Sequence, residues 1–180
     1  VGVETVSIPL EYDGSPATPS SYYGTVQIID SDSSFSQWFR DVGGVNTAHP
    51  TTLELRSIGS NNYQFSRLSP NFFFPVDGMG GGEALVCQGW PYWGGMCSGP
   101  QHNYYFTTEA RYLFAYESST SLTLQFTGDD DVWVFVNGHL ALDLGATHQQ
   151  LTGSVNVNSS SAGSYSLAPG HVYEIVVFHA

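Results

Sequence analysis

The sequence contains no lysine. It has four arginines and sixteen acidic residues, which gives a formal net charge of -12. Proteins that bind nucleic acids neutralise the backbone phosphates with clusters of Lys and Arg. No part of this sequence could do so. The composition therefore predicts a protein that has no nucleic-acid partner.

Charged residues make up only 11% of the chain, and no apolar run approaches the roughly 20 residues that span a bilayer. Solubility must rest on the many Ser, Thr, Asn and Gly residues, a surface typical of extracellular proteins. We expect no membrane span in this chain and a location outside the cell or on its surface. Because the sequence opens without Met and stops within the apolar stretch EIVVFHA, we also expect a piece of a larger multidomain or filamentous protein, with a further C-terminal segment.

Only two cysteines occur, Cys87 and Cys97, and they frame a loop rich in Gly and Trp. A disulfide that closes so short a loop would stabilise the fold by about 3 kcal/mol, and an oxidising compartment would permit it. The spacing fits neither a zinc knuckle nor a redox pair. Two buried free thiols remain the alternative.

The same loop presents three aromatic side chains, Trp90, Tyr92 and Trp93. Their flat faces could stack on a sugar ring or a peptide. The alternative is a small hydrophobic cluster that packs only within the loop.

Most of the chain alternates between β-forming stretches and turn residues, which predicts an all-β fold. The predicted strands are YYGTVQIID, TTLELRSI, YQFSRL, NYYFTTEARYLFAYE, TSLTLQF, DVWVFVNG, HLALDL, SVNV and VYEIVVF. One short helix is predicted in SSFSQWFRDV, capped by Ser33 or Ser34 and ended by Gly43 and Gly44, with the apolar face Phe35, Trp38, Phe39 and Val42. We expect a single antiparallel β-sandwich over residues 1–180, with an irregular insertion at about 78–99.

The stretch Val132–Val136 is apolar at every position, which predicts a strand that is covered on both faces. Asn137 and Gly138 follow it and predict a two-residue turn into HLALDL. This hairpin should lie in the core.

Three consecutive aspartates, Asp129, Asp130 and Asp131, precede that buried strand, and no Arg or Lys lies within ten residues. Clustered carboxylates beside an apolar core need a positive partner, and their hard oxygen atoms suit Ca²⁺ better than Zn²⁺. Neighbouring side chains of a strand point to opposite faces and do not ordinarily share one ion, but a cis peptide between two of the aspartates would turn both toward the same ion. An acidic turn satisfied by backbone amides and water is the alternative.

The string GDDDVWVFVNGHLALDLGATH, with HNYYFTTE and SFSQWFRDVGGVN before it, resembles the fibro-slime domain. This domain is a branch of the protective-antigen-type, jelly-roll-like β-sandwich superfamily that includes yeast flocculins and epithelial adhesins. The resemblance implies that Asp129 and Asp130, joined by a cis peptide, hold a Ca²⁺ that contacts sugar hydroxyls. Asp131, where relatives often have Gly, is a further candidate ligand. The remaining ligands would follow the closing FHA.

Other polar residues allow two interpretations each. Asp143 and His148 lie in DLGATH, the second half of the motif, and could bind a metal ion or take part in acid-base chemistry. Hydrogen bonding within the fold is the stronger interpretation. For His102, Asn103 and Glu109 we expect a structural role. The triplet Asn158-Ser159-Ser160 is an acceptor sequon for N-glycosylation in a secretory system.

These observations predict a calcium-dependent carbohydrate-binding or adhesion module that recognises glycans. The alternative is a structural module of a surface filament, sheath or matrix, which would contact neighbouring proteins and use calcium only to stabilise a loop. A glycoside hydrolase would need two carboxylates that face one cleft, and the aspartates are too close together. We therefore predict no catalytic residues and no enzyme.

Overall fold

The computed structural model describes residues 32–67, 73–79, 86–87, 101–103, 105–128, 131–145 and 150–180. The predicted strand YYGTVQIID lies outside these residues. The chain divides into two compact units, one that contains residues up to Asn46 together with Thr107–Ala180, and a second that contains Thr47–Phe106. None of the described helices is long and apolar enough to cross a membrane.

The described elements are one α-helix, one 3₁₀ helix and ten strands. In chain order they are α1 Asp32–Trp38, β1 Arg56–Gly59, β2 Asn62–Gln64, β3 Val86–Cys87, β4 Gln101–His102, β5 Thr108–Tyr116, β6 Leu122–Gly128, β7 Val132–Val136, β8 His139–Leu144, β9 Leu151–Val157, the 3₁₀ helix Ala162–Tyr165 and β10 His171–His179. All strand pairs are antiparallel. The prediction of an all-β fold with one short helix is confirmed.

The first unit contains a four-stranded sheet in the order β5-β10-β7-β8 and a two-stranded sheet of β6 and β9. Strand β10 lies in the middle of the larger sheet, where Ile175 pairs with Tyr112 of β5 on one side and with Val136 of β7 on the other. The two sheets share one hydrophobic core that contains residues of β5, β7, β9 and β10, with β6 and β8 packed against it. This arrangement is a sandwich.

Strict alternation of buried and exposed side chains explains why β6 and β9 cover that core. In β6, Leu122, Leu124 and Phe126 pack against the core, whereas the intervening Thr and Gln side chains are exposed. In β9, Val155 and Val157 are buried, whereas Ser154 and Asn156 before them are exposed. Each strand therefore has one apolar and one hydrated face, as the two-residue period of a strand requires.

Strand β7 is buried at all five positions, which confirms the prediction for Val132–Val136. Val132, Val134 and Val136 face the sandwich core. Trp133 and Phe135 face the opposite side, where they pack with Phe35 of α1 and Val176 of β10. The helix thus covers the outer face of the large sheet, and this is why β7 shows no polar alternation.

The helix is shorter than predicted and begins earlier. It extends from Asp32 to Trp38, so the predicted caps at Ser33 or Ser34 and the predicted end at Gly43 and Gly44 are wrong. The side chain of Asn46 explains the early end. Its Nδ2 donates to the carbonyl of Gln37 at 2.5 Å, and its Oδ1 accepts from the amide of Val42 at 2.6 Å. These bonds stabilise a non-helical path for residues 39–46.

The two-residue turn between β7 and β8 is confirmed. Asn137 and Gly138 both have positive φ, 49° and 77°, as a type I′ turn requires. The Nδ2 atom of Asn137 also donates to the carbonyl of Tyr165 at 2.9 Å. The turn is therefore tied to the 3₁₀ helix that precedes β10.

The second unit contains two short ladders, β1 with β2 and β3 with β4. The predicted strands TTLELRSI and YQFSRL are wrong in extent, since only Arg56–Gly59 and Asn62–Gln64 are paired. Both are exposed along their length, so no buried face extends the ladder. Strand β5 likewise begins at Thr108 and not within NYYFT.

Candidate functional site

One end of the sandwich gathers both halves of the motif that the sequence singled out. The start of β7 pairs with the end of β10 and with the end of β8, since Val132 lies opposite both His179 and Leu144. Gly128 ends β6 and pairs with Leu151 at the start of β9. The end of β6, the start of β7 and the end of β8 therefore lie at the same end of the sandwich.

Asp131 lies at this end immediately before β7 and is 7% exposed. Its amide donates to the carbonyl of Ala180 at 3.1 Å, and the amide of Ala180 donates back at 3.1 Å. These two bonds extend the ladder between β7 and β10 and hold the Asp131 backbone beside the last residue of the sequence. Burial of a carboxylate is costly unless polar or positive groups compensate it. Asp129 and Asp130 lie outside the described residues.

Most of the few positive side chains are engaged by other groups. Arg56 pairs with Glu54, Arg67 lies 5.5 Å from the ring centre of Phe65, and Arg111 pairs with Glu109 and Glu174. Partial burial lowers the pKa of Arg111, but these two carboxylates outweigh it and the pKa is raised overall. Three of the four arginines thus have partners other than Asp131.

His179 lies at the same end of the sandwich, where it pairs with both Thr108 of β5 and Val132 of β7. Alternation along β10 places it on the same face as Val177, which packs against the main core. Burial lowers the pKa of His179. Burial therefore disfavours the protonated, positively charged form of this imidazole.

Asp131 supplies one buried carboxylate, which is an oxygen ligand of the kind that Ca²⁺ prefers. Within the described parts of the chain, no group of three or more His, Cys, Asp or Glu residues could hold a metal ion. Asp131 is the one residue of the predicted ligand set that the structure describes. The calcium site at Asp129 and Asp130 stays a prediction.

Asp143 is exposed, and its Oδ1 accepts a hydrogen bond from the amide of Gly145 at 2.9 Å. A Cβ atom on Gly145 would lie 3.0 Å from the Trp133 ring and 3.1 Å from Asp143 Oδ1. The carboxylate therefore shapes a tight turn against the buried indole, which favours the structural interpretation. His148, its predicted companion, lies outside the described residues.

The aromatic loop also lies outside the described residues, including Trp90, Tyr92, Trp93 and Cys97. The backbone of Cys87 belongs to β3 and pairs with Gln101. This ladder shows that the predicted irregular insertion contains at least one strand. The disulfide between Cys87 and Cys97 stays a prediction.

The sequence did not reveal a second polar cluster, which forms around Asp77 in the second unit. Its Oδ2 lies 2.6 Å from His102 Nδ1, its Oδ1 accepts from the amide of Asn103 at 2.8 Å, and the ring of Phe74 stacks on His102 at 3.9 Å. Burial raises the pKa of Asp77, but the Asn103 amide and His102 outweigh this effect and lower the pKa overall. The cluster gives His102 and Asn103 structural contacts.

Comparison with known protein families identifies a match in the C-terminal half of the chain. Residues 92–180 match the model of the PA14 domain. PA14 domains are β-rich carbohydrate-binding and adhesin-like modules that occur generally in secreted or cell-surface proteins. The matched segment includes the aspartate triplet and strands β4 to β10. The protective-antigen-type resemblance is thus supported over this segment, whereas assignment to the fibro-slime branch stays a prediction.

Similar proteins occur in Dictyostelium discoideum. Protein psiD is 33% identical over 151 residues, which cover 81% of this chain and 28% of psiD. Protein psiQ is 34% identical over 149 residues, 81% of this chain and 14% of psiQ, and protein psiR is 32% identical over 168 residues, 92% of this chain and 16% of psiR. The chain spans less than a third of the length of these relatives. No solved structure gives a significant match.

Proposed function

We propose that this chain is an extracellular carbohydrate-binding and adhesion module whose recognition of glycans depends on Ca²⁺. The observation that carries the proposal is the buried Asp131 immediately before β7, which directly follows Asp129 and Asp130 within the segment that matches the PA14 domain. A run of three carboxylates at the edge of an apolar core calls for a cation.

In this proposal Asp129 and Asp130 are the principal calcium ligands, and Asp131 is a further candidate. Bound Ca²⁺ would supply positive charge to the acidic turn and coordinate sugar hydroxyls directly. The ladder between β7 and β10 holds Ala180 beside Asp131. Any residues that follow Ala180 in a longer chain would therefore start beside Asp131, where they could supply further oxygen ligands. Trp90, Tyr92 and Trp93 are candidates for stacking on the sugar ring.

A second candidate function is a structural module of a filament, sheath or matrix. It is favoured by exposed apolar side chains of the large sheet, Tyr112 at 55% and Leu113 at 65% on β5 and Val172 at 64% on the neighbouring β10. Within the described residues β5 forms the edge of that sheet. Exposed apolar side chains at a sheet edge suit contact with a neighbouring protein.

The proposal includes no catalytic activity. Glycoside hydrolysis requires two carboxyl groups about 5 to 10 Å apart across one cleft. In the described part of the chain, Glu109 and Glu174 both bind Arg111, and Asp77 is engaged by His102 and Asn103. Carboxylates that are held in this way fit structural roles.

Calorimetric titration of the chain with Ca²⁺ tests the ligand assignment. Asp130→Asn should abolish the heat of binding, because an amide oxygen carries no charge. Asp143→Asn is the matched control from the same end of the sandwich, since its side-chain oxygen can still accept from the Gly145 amide. We expect it to bind Ca²⁺ as the parent chain does.

A glycan array probed with and without chelator tests the recognition itself. Hits that disappear with chelator would support the lectin function. Calcium binding without glycan hits would overturn it in favour of the structural module. If neither this chain nor one extended beyond Ala180 binds calcium, the assignment of Asp129 and Asp130 is wrong.

A further inference from the structure

Asn158 lies in a tightly bonded turn directly after β9. Its Oδ1 accepts from the amide of Ser160 at 2.9 Å and from the amide of Ser161 at 3.2 Å. Ser161 Oγ in turn accepts from the amide of Asn158 at 3.0 Å and donates to the carbonyl of Asn156 at 2.7 Å. Both hydrogen bonds that the Asn158 side-chain oxygen accepts therefore lie within the turn.

The nitrogen of the same side chain, Nδ2, differs from the oxygen in its hydrogen bonding. Asn158 Nδ2 donates no hydrogen bond within the described residues and is not one of their buried, unpartnered atoms. It therefore retains contact with solvent. Ser159 and Ser160 beside it are exposed, and the following residues are small, so no bulky side chain of this turn crowds the nitrogen.

We infer that Asn158 is an N-glycosylation site of the secreted protein. The inference rests on the extracellular location proposed above, because the transfer takes place in a secretory compartment. Asn158-Ser159-Ser160 is the only Asn-Xaa-Ser/Thr triplet in the sequence. The structure adds that Nδ2, the nitrogen that would be modified, contacts solvent, whereas Oδ1 of the same side chain is held by two hydrogen bonds.

The donor would be an oligosaccharide linked to a polyprenyl pyrophosphate. Nδ2 forms a bond to the anomeric carbon of the first sugar and loses one proton, while the bond from that carbon to the pyrophosphate oxygen breaks and the pyrophosphate leaves. Oδ1 takes no part in the new bond. The hydrogen bonds from Ser160 and Ser161 are therefore preserved in the glycosylated chain, and the turn does not need to open to hold the product.

The turn lies at the opposite end of the sandwich from Asp131. Strand β9 starts at Leu151, which pairs with Gly128 before the acidic turn, and ends at Val157, which pairs with Leu122. Seven residues of strand span about 20 Å. A glycan on Asn158 would therefore leave the candidate calcium end open, and both functions can operate in one molecule.

The test is expression of the chain behind a secretion leader in a eukaryotic host, followed by mass spectrometry of the peptide that contains Asn158. We expect a glycan that peptide-N-glycosidase removes, with conversion of Asn158 to Asp. Ser160→Ala removes the hydroxyl that the transferase requires but keeps the backbone amide that bonds Oδ1, so it should abolish the modification without unfolding the turn. Ser159→Ala is the matched control, because it leaves the sequon intact and should be modified normally.

An unmodified Asn158 in the secreted chain would overturn the inference, as would modification that persists in Ser160→Ala. The protein isolated from its source provides the second arm. Modification of the leader-directed chain together with an unmodified source protein would support the acceptor site and contradict the extracellular location. Modification of both would support the site and the location together.

Discussion

Removing the Phe35 ring is the perturbation that most directly probes how the helix docks on the large sheet. Phe35 is 4% exposed, and its ring centre lies 4.9 Å from that of Phe39, 5.5 Å from that of Trp133 and 5.1 Å from that of Phe178. Truncation of a buried Phe to Ala costs about 3–5 kcal/mol. We expect Phe35→Ala to destabilise the first unit by about 3 kcal/mol, at the low end of this range because the helix is short.

For a chain of this size, 3 kcal/mol corresponds to a fall in melting temperature of about 6–12 °C. Near-ultraviolet circular dichroism would measure it, because the signal reports on aromatic packing. Phe35→Leu keeps most of the apolar burial and loses only the ring pairs, so it should cost about 1–2 kcal/mol. Leu113→Ala, at a 65% exposed position, should change stability by less than about 0.5 kcal/mol. If Phe35→Ala is no worse than Leu113→Ala, the helix does not cover the sheet.

Three further predictions follow from single contacts. Gly153→Ala should cost about 1–3 kcal/mol by urea denaturation, because its Cβ would lie 2.8 Å from Leu142 Cδ1. Gly138→Ala should cost about 1 kcal/mol through its positive φ, whereas Gly163→Ala, in open space without one, should be near neutral. Because burial lowers the pKa of His179, the unfolded chain binds more protons, so stability is complete above about pH 6.5 and falls as pH drops below it. His179→Gln should flatten this dependence of the urea midpoint on pH.

The hairpin of β7 and β8 was predictable because its signals are local. Five consecutive apolar residues require cover on two faces, and only residues that tolerate positive φ can form so tight a turn. Asn137 and Gly138 satisfy the second condition, and Val132–Val136 satisfies the first. No distant contact was needed to predict either feature.

The end of the helix could not be predicted, because a distant side chain decides it. The apolar period continues to Val42, yet Asn46 binds the carbonyl of Gln37 nine residues earlier and ends the helix at Trp38. The predicted extent of β1 and β2 in the second unit was wrong for the opposite reason. The β propensity of these two stretches is adequate, but β1 and β2 are exposed along their length, so no buried face extends the pairing.

The assembly of the candidate site depends on strand register, which the sequence does not display. Asp131 and Ala180 are 49 positions apart and meet only because β10 pairs with β7. Asp77 and His102 are 25 positions apart and have no periodic relation. The aspartate motif could be recognised from its residues, whereas its neighbours in space could be named only from the structure.

The most direct test of the central claim is a titration of the chain with a glycan selected from the array, in calcium and again in chelator. The proposed function predicts measurable affinity in calcium, loss of at least tenfold in chelator, the same loss for Asp130→Asn in calcium, and normal affinity for Asp143→Asn. Affinity that is unchanged by chelator and by Asp130→Asn would contradict calcium-dependent recognition at the acidic end of the sandwich.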